Sequence, residues 1–309
     1  YRFNKSDWDV RHSVDKARYA ASIYRENYEK HYAEFDKSME DEYEAIQYVI
    51  NHIDKAVEEG WVRPYYQPVV WADDKTLAGC EALARWIDPN KGFLSPGEFV
   101  PILENTRLIH KLDQAIIEAV CRDIRRTIDN KLTPIPVSLN FSRLDFELMD
   151  DAVGFLNEMV DKYDVPKDLI HVEVTESALT DKIGNLNATI NRFRDAGYAL
   201  WLDDFGSGYS SLNVLKDYKF DVLKIDMKFL SGFKENDKSK ILINSIINMS
   251  DKLGMKTLTE GVETPEESEF LEAQKCGRLQ GYLYGKPLPY EELQKAIKEG
   301  RYIISNKKD

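Results

Sequence analysis

The sequence predicts an α/β fold: a (β/α)8 TIM-type barrel modified by an antiparallel first strand and preceded by an N-terminal helical extension. After Gly60, eight short, apolar, strand-like runs alternate with stretches of helical periodicity. Eight such units in about 250 residues is the size of this barrel. Only residues 71–75 separate the first two runs, too few for a parallel crossover, so these two strands are expected to pair as an antiparallel hairpin.

The extension comes first. Over residues 14–39, Val14, Ala17, Ala21, Tyr24, Tyr28, Phe35 and Met39 recur at threes, fours and sevens with charges between them, as on one helix face. A second helical run follows a division near Asp41; it carries Tyr43, Ile46, Ile50, Ile53 and Val57 and stops at Gly60, a common residue just past a helix end. Periodicity leaves two roles open: packing on the main domain, or acting as a signalling or dimerising helix. The strand-like runs are residues 64–70, 76–83, 135–140, 169–174, 198–203, 221–226, 256–260 and 278–283. Helical stretches at 113–128, 152–163, 187–196, 238–253 and 265–274 lie between most of them.

The 309 residues are 43% hydrophobic and 31% charged, enough apolar material for a sizeable core. No run approaches the roughly 18 uninterrupted apolar residues of a membrane span. The opening Tyr1-Arg2-Phe3-Asn4 is neither a signal peptide nor an initiator methionine, so an excised part of a longer protein is expected. The three cysteines, Cys80, Cys121 and Cys276, are scattered and odd in number, which fits a reducing cytoplasm better than a disulfide framework or a thiolate metal site. A net charge of −12 argues against binding polymeric nucleic acid, since no basic surplus exists to displace counterions.

Polar residues gather at the C-terminal ends of the strand-like runs, where barrel enzymes build their sites. They are Glu81, Asn140, Glu173, Asp203 with Asp204, Lys224 with Asp226, Glu260 and Gln280. One such carboxylate has an ordinary explanation as a solvated strand cap; the whole set does not. Carboxylates and an amide oxygen are hard ligands suited to Mg2+ or Mn2+, and the scarcity of nearby His and Cys argues against zinc. Adjacent aspartates can place one carboxylate between two cations and the other on the second cation alone, a two-metal arrangement suited to in-line displacement at phosphorus. His171, two residues before Glu173 and on the same strand face, is read as a barrel-interior residue. Gly206 and Gly208 mark a tight loop after the aspartates.

Glu81-Ala82-Leu83-Ala84-Arg85-Trp86 resembles the signature for which EAL-domain phosphodiesterases are named. The likeness continues through Tyr66-Gln67-Pro68, Ser138-Leu139-Asn140-Phe141-Ser142, Val172-Glu173-Val174-Thr175-Glu176-Ser177 and the 203–211 loop. It also includes Leu223-Lys224-Ile225-Asp226, Glu260-Gly261-Val262-Glu263-Thr264 and Gln280-Gly281-Tyr282-Leu283. The resemblance covers roughly residues 42–289. It implies hydrolysis of the bacterial second messenger cyclic di-GMP to linear pGpG, with two ions of Mg2+ or Mn2+ per site. By this resemblance Glu81, Asn140, Glu173 and Asp203 hold one ion, and Asp203 and Asp204 the other. Lys224 orients the attacking water, and Glu260 acts as a ligand or proton acceptor. Gln67, Leu83, Arg85, Asp226 and Gln280 line the substrate site, with Arg85 suited to a phosphate oxygen. Glu176, Gly206, Gly208 and Glu263 support the loops, and a homodimer through the barrel is implied. Ser207 stands where the family commonly has threonine.

Asp15-Lys16-Ala17-Arg18-Tyr19-Ala20-Ala21 and His31-Tyr32-Ala33-Glu34-Phe35-Asp36 resemble the C-terminal helix and tail of a GGDEF-like domain. Residues 1–41 are therefore expected to be a remnant of such a domain plus linker, residues 42–309 the phosphodiesterase domain, and a GGDEF-like or sensory domain to precede them in the parent chain. Some EAL-like domains bind cyclic di-GMP without cleaving it, usually after losing ligands; here the ligand set is intact, which favours hydrolysis. A different phosphohydrolase on a similar barrel is disfavoured by the 81–86 signature together with Gln67 and Gln280.

Overall fold

The computed structural model describes residues 10–23, 35–180, 186–206, 211–231, 233 and 237–307. Helix α1 (Val10–Ile23) and helix α2 (Lys37–Glu58) form the extension. The chain does not carry one helix from 14 to 39 as the spacing suggested: Asp36 accepts from the Met39 amide and starts α2 as its N-cap, so Phe35 and Met39 fall on either side of a helix start. Tyr24, Tyr28 and most of the second GGDEF-like motif lie outside the described residues. Residues 41 and 42, where the division was expected, lie within α2. The buried face of α2 is Met39, Tyr43, Val49, Ile53 and Ala56, turned slightly from the expected stripe because α3 and α4 cover it. Helix α1 lies on α2 through a Lys16–Glu40 ion pair at 2.8 Å and the Tyr19 and Tyr43 rings, 5.5 Å apart.

The barrel strands are β1 (Val62–Trp71), β2 (Leu77–Asp88), β4 (Val137–Phe141), β5 (Ile170–Thr175), β6 (Ala199–Phe205), β7 (Val222–Ile225), β8 (Lys256–Thr259) and β9 (Arg278–Gln280). Their order is β1-β9-β8-β7-β6-β5-β4-β2, and pairing of β1 with β2 closes the ring. Strand β1 is antiparallel to both neighbours, while β2 and β4 through β9 run parallel, as the short 71–75 connection required. A ninth strand, β3 (Gly92–Leu94), hangs on the end of β2 as a hairpin and was not expected. The helices are α3 (Pro96–Asn105), α4 (Ile109–Asp129), α5 (Arg143–Leu148), α6 (Ala152–Lys162), α7 (Glu176–Thr180), α8 (Leu186–Asp195), α9 (Ser211–Asp217), α10 (Asp237–Lys252), α11 (Pro265–Ala273) and α12 (Tyr290–Lys298). Capping boxes start several of them: Ser95 with Glu98, Ser142 with Asp145, and Thr264 with Glu267. Among the described residues no helix is long and apolar enough to cross a membrane.

Strand parity places the chemistry. On β5 the alternate residues Ile170, Val172 and Val174 are fully buried against the helices, so His171 and Glu173 point into the barrel. Leu200 and Leu202 on β6, and Leu223 and Ile225 on β7, do the same for Trp201, Asp203, Val222 and Lys224. The barrel floor is a small apolar plug of Val69, Trp201, Val222 and Leu258. His171 stacks on Trp201 at 4.7 Å, and burial, then Arg278, depresses its imidazole to about 3, so it is neutral and interior as expected.

A buried carboxyl pair sits outside the barrel, where α5 meets α4. Asp145 is fully buried and accepts from the Ser142 amide at 2.7 Å. Burial pushes its carboxyl up to about 6; burial and the Asp145 charge push Asp113 up as well. Raised carboxyls favour the folded state when protonated. For Asp145 that stabilisation is complete below about pH 4, the unfolded carboxyl range, and is lost as pH rises through about 6. Asp113→Asn is therefore expected to be more stable than the parent by about 1–3 kcal/mol at pH 8 and to lose less stability between pH 5 and 8. Urea unfolding at the two pH values reads this directly, and an equal pH dependence in both proteins would contradict it.

Candidate active site

The barrel mouth brings eight of the expected residues together. Glu81 on β2 faces Gln67 on β1 in register, and Asn140 on β4 faces Glu173 on β5. Gln280 on β9 donates its Nε2–H to Glu81 Oε2 at 2.7 Å and to Gln67 Oε1 at 3.2 Å; Asn140 Nδ2 donates to Glu81 Oε1 at 2.8 Å. Asp203 projects from β6 and Glu260 follows β8. At the centre is Lys224 on β7, 1% exposed. Its ammonium lies 2.5 Å from Glu173, 2.7 Å from Glu260, 3.2 Å from Asp203 and 3.5 Å from Glu81.

Four carboxylates around one ammonium leave a negative excess in a desolvated place, and their protonation shows the strain. Burial opposes ionisation of Glu81, but Lys224 and the two amide donors outweigh it and hold this carboxyl below its usual range. Glu173 is pushed well up by burial, and Glu260 is pushed up to about 8 by burial with Asp203 and Glu81 nearby. The ring of carboxylates outweighs burial at Lys224 and raises it well above the usual lysine range, so it stays charged.

One oxygen each from Glu81, Glu173 and Asp203 fall within 4.8 Å of one another. Glu173 Oε1 and Gln280 Oε1 are buried without a hydrogen-bond partner among the described residues. Such atoms are costly unless something else satisfies them. An all-oxygen donor set, excess negative charge and orphaned acceptors fit a hard divalent cation.

Asp204 is a separate case. Simple strand alternation would turn it away from Asp203, but its φ is 55° and the β6/β7 register shifts between Leu202 and Phe205. The Asp204 amide donates to Asp203 Oδ1 at 2.8 Å, and burial with the Asp203 charge raises the Asp204 carboxyl. Its oxygens are not within the three-carboxylate cluster. The half-buried Asp204 stands beside that cluster and toward Asp226.

The mouth opens into a cavity of about 290 Å3 lined by Gln67, Glu81, Leu83, Asp203, Glu260 and Gln280, with Met227, Gly261 and Tyr282 at its wall. Arg85, half-buried, donates to the Ala84 carbonyl and stands over Tyr65, so it does not enter the carboxylate cluster. Asp226 caps the turn at 227–230 through the Lys228 amide at 2.7 Å. Glu176 Oε2 accepts from the Gly206 amide at 3.0 Å; Glu263 is exposed, and Gly208 lies outside the described residues. Gly281 is pressed so close to Val262 that a Cβ would fall 2.1 Å from the Val262 oxygen, which keeps Gln280 and the 260–263 loop in contact.

Sequence reasoning missed Arg278. It is buried in the barrel one layer below Gln280, its guanidinium 4.5 Å from the Trp71 ring centre and 5.4 Å from that of Trp201. Burial lowers it to about 10. Its spacing of two from Gln280 was the available signal, since residues i and i+2 of a strand share a face.

The EAL domain family model matches residues 50–287. The chain is 31% identical over 296 residues to the bifunctional diguanylate cyclase/cyclic di-GMP phosphodiesterase MucR of Pseudomonas aeruginosa, covering 94% of this chain and 42% of MucR. It is 32% identical over 247 residues to the probable cyclic di-GMP phosphodiesterase PdeG of Escherichia coli, covering 79% of this chain and 48% of PdeG. The chain thus spans less than half of these relatives. Among solved structures, the PaMucR phosphodiesterase in complex with c-di-GMP superposes with a TM-score of 0.72 at 30% identity, covering 80% of this chain and 99% of that one.

Proposed function

The chain belongs to the EAL domain family, and from that premise we propose that it is a phosphodiesterase that hydrolyses cyclic di-GMP to pGpG with two ions of Mg2+ or Mn2+. The observation that carries this reading is the oxygen cluster of Glu81, Glu173 and Asp203 gathered around buried Lys224 at the floor of the mouth cavity. Glu81, Asn140, Glu173 and Asp203 would hold one ion, and Asp203 and Asp204 the other. When bound, the divalent pair supplies Lewis-acid stabilisation of the charge that develops at the phosphodiester.

The remaining work falls to the chain's own groups. Lys224 balances the carboxylates and orients the attacking water with its ammonium. Glu260, 2.7 Å from that ammonium, would serve as a ligand or, once the charge of the bound cations ionises its raised carboxyl, as the acceptor of the water proton. The water oxygen would bond to phosphorus as one P–O bond of the ring breaks, and the departing ribose oxygen would take the proton that the water gave up, leaving the linear dinucleotide. Gln67, Leu83 and Gln280 line the cavity for the substrate, and Asp226, which caps the 227–230 turn, would contact it from beside Met227. Arg85 offers a guanidinium to a phosphate oxygen once it swings from the Ala84 carbonyl. We further propose that the barrel works as a homodimer in a cytoplasmic setting and that a GGDEF-like or sensory domain precedes it in the parent protein.

Incubating the purified chain with cyclic di-GMP and either metal, with chromatography of the products, tests the reading. Metal-dependent appearance of pGpG, abolished by chelator, is the expected result. Tight binding of the dinucleotide without turnover in either metal would replace the enzyme by a receptor.

A further inference from the structure

Asp204 lies outside the strand ladders that hold the rest of the cluster. Pairing of β6 with β5 ends at Asp203, and pairing with β7 jumps from Leu202 to Phe205. A corner that carries two carboxylates and a residue at φ 55° therefore needs restraint from something other than the sheet. One restraint is Glu176, fully buried, which accepts from the Gly206 amide. The other is an aromatic ring. Gly206 has φ 94°, and a Cβ on it would fall 2.4 Å from Phe229 Cζ and 2.6 Å from Cε2, so the tip of the Phe229 ring rests on the glycine backbone.

Phe229 is itself anchored to the site. It belongs to the 310 turn at Met227–Leu230, its amide donates to the Asp226 carbonyl at 3.0 Å, and the Asp226 carboxylate caps that turn. Asp226 lies two residues beyond Lys224. The ring thus ties the end of β7 to the corner after β6, across the gap that the missing ladder bonds leave. We propose that Phe229 is a positioning residue: its ring, seated on Gly206, holds the Asp203–Gly206 corner so that the Asp203 and Asp204 carboxylates keep the arrangement that binds divalent cations. This rests on the metal reading above.

The test is Mn2+ binding, by calorimetry and by electron paramagnetic resonance, in the parent chain, Phe229→Ala and Phe229→Tyr. Alanine removes the ring. Tyrosine adds a hydroxyl to the ring carbon nearest Gly206 and pushes the corner while leaving the rest of the packing in place. Residues that orient metal ligands without touching the metal are worth about 10- to 100-fold in affinity. Both variants are therefore expected to bind Mn2+ at least about 10-fold more weakly, with an altered Mn2+ spectrum and a reduced kcat, while KM for the dinucleotide stays within about threefold. Should Phe229→Ala fail to fold, Phe229→Tyr decides on the same criterion. A folded variant with parental Mn2+ affinity and spectrum, even at lower thermal stability, would show that the ring only packs and would overturn the inference. A parent chain that binds no Mn2+ would overturn the metal reading and this inference with it.

Discussion

Glu81→Ala is expected to lose at least about 10^3-fold in turnover of cyclic di-GMP while remaining folded. The loss follows from the position of Glu81 in the three-carboxylate cluster, since divalent cations supply several kcal/mol of transition-state charge stabilisation and each 1.36 kcal/mol is tenfold in rate. Folding is spared for a local reason. Lys224 keeps Glu173, Glu260 and Asp203 as partners when Glu81 is gone, so no buried charge is stranded. The cost is the acceptor that Gln280 and Asn140 lose, about 1–3 kcal/mol. Product chromatography with a parallel thermal melt separates the two effects. Near-full activity in the folded variant would contradict the ligand assignment.

The expectation for Glu81 could be formed because its surroundings were legible in the sequence. Strand-like runs end in polar residues, and the register of a closed barrel brings strand ends of like direction to one rim. The runs at 169–174 and 198–203 are displaced from β5 and β6 by one or two residues only, since fully buried parallel strands show as unbroken apolar segments. What the sequence hid has physical causes. Strand β3 is three residues long and pairs only with β2, so it carries no apolar run of its own. The start of α2 was lost because Phe35 and Met39 continue the helical spacing across it, although Asp36 followed by Glu40 in the first turn is a legitimate start signal. Neither the turn at Asp204 nor the contact of Phe229 with Gly206 leaves a trace in hydrophobic periodicity. Depth was the other hidden quantity: the run at 221–226 put Lys224 and Asp226 near a strand end, and the enclosure of the Lys224 ammonium by four carboxylates left no mark on it.

That enclosure makes Lys224→Met the most informative change for the balance of charge in the site. Methionine fills much of the lysine stem but leaves Glu81, Glu173, Asp203 and Glu260 without their ammonium. Breaking a buried ion pair by removing one partner typically costs about 3–5 kcal/mol, because the remaining charge is both desolvated and uncompensated. In chelator, the variant is therefore expected to melt well below the parent. On the proposed metal reading, divalent cations would restore positive charge to the same oxygens and bind the folded chain alone, and so would stabilise it by mass action. The gain in melting temperature on adding Mg2+ or Mn2+ is expected to be larger for Lys224→Met than for the parent, because in the parent the ammonium competes with the cations for those carboxylates. Turnover should nevertheless fall about 10^3-fold even at saturating metal, since restoring charge would not restore the group proposed to orient the attacking water. Thermal melts with and without metal, set beside the initial rate, read all three quantities. A variant whose metal-induced gain equals the parent's would mean that Lys224 and the cations do not share these carboxylates. A variant with full activity at saturating metal would remove Lys224 from the chemistry and leave it the charge-balancing role alone.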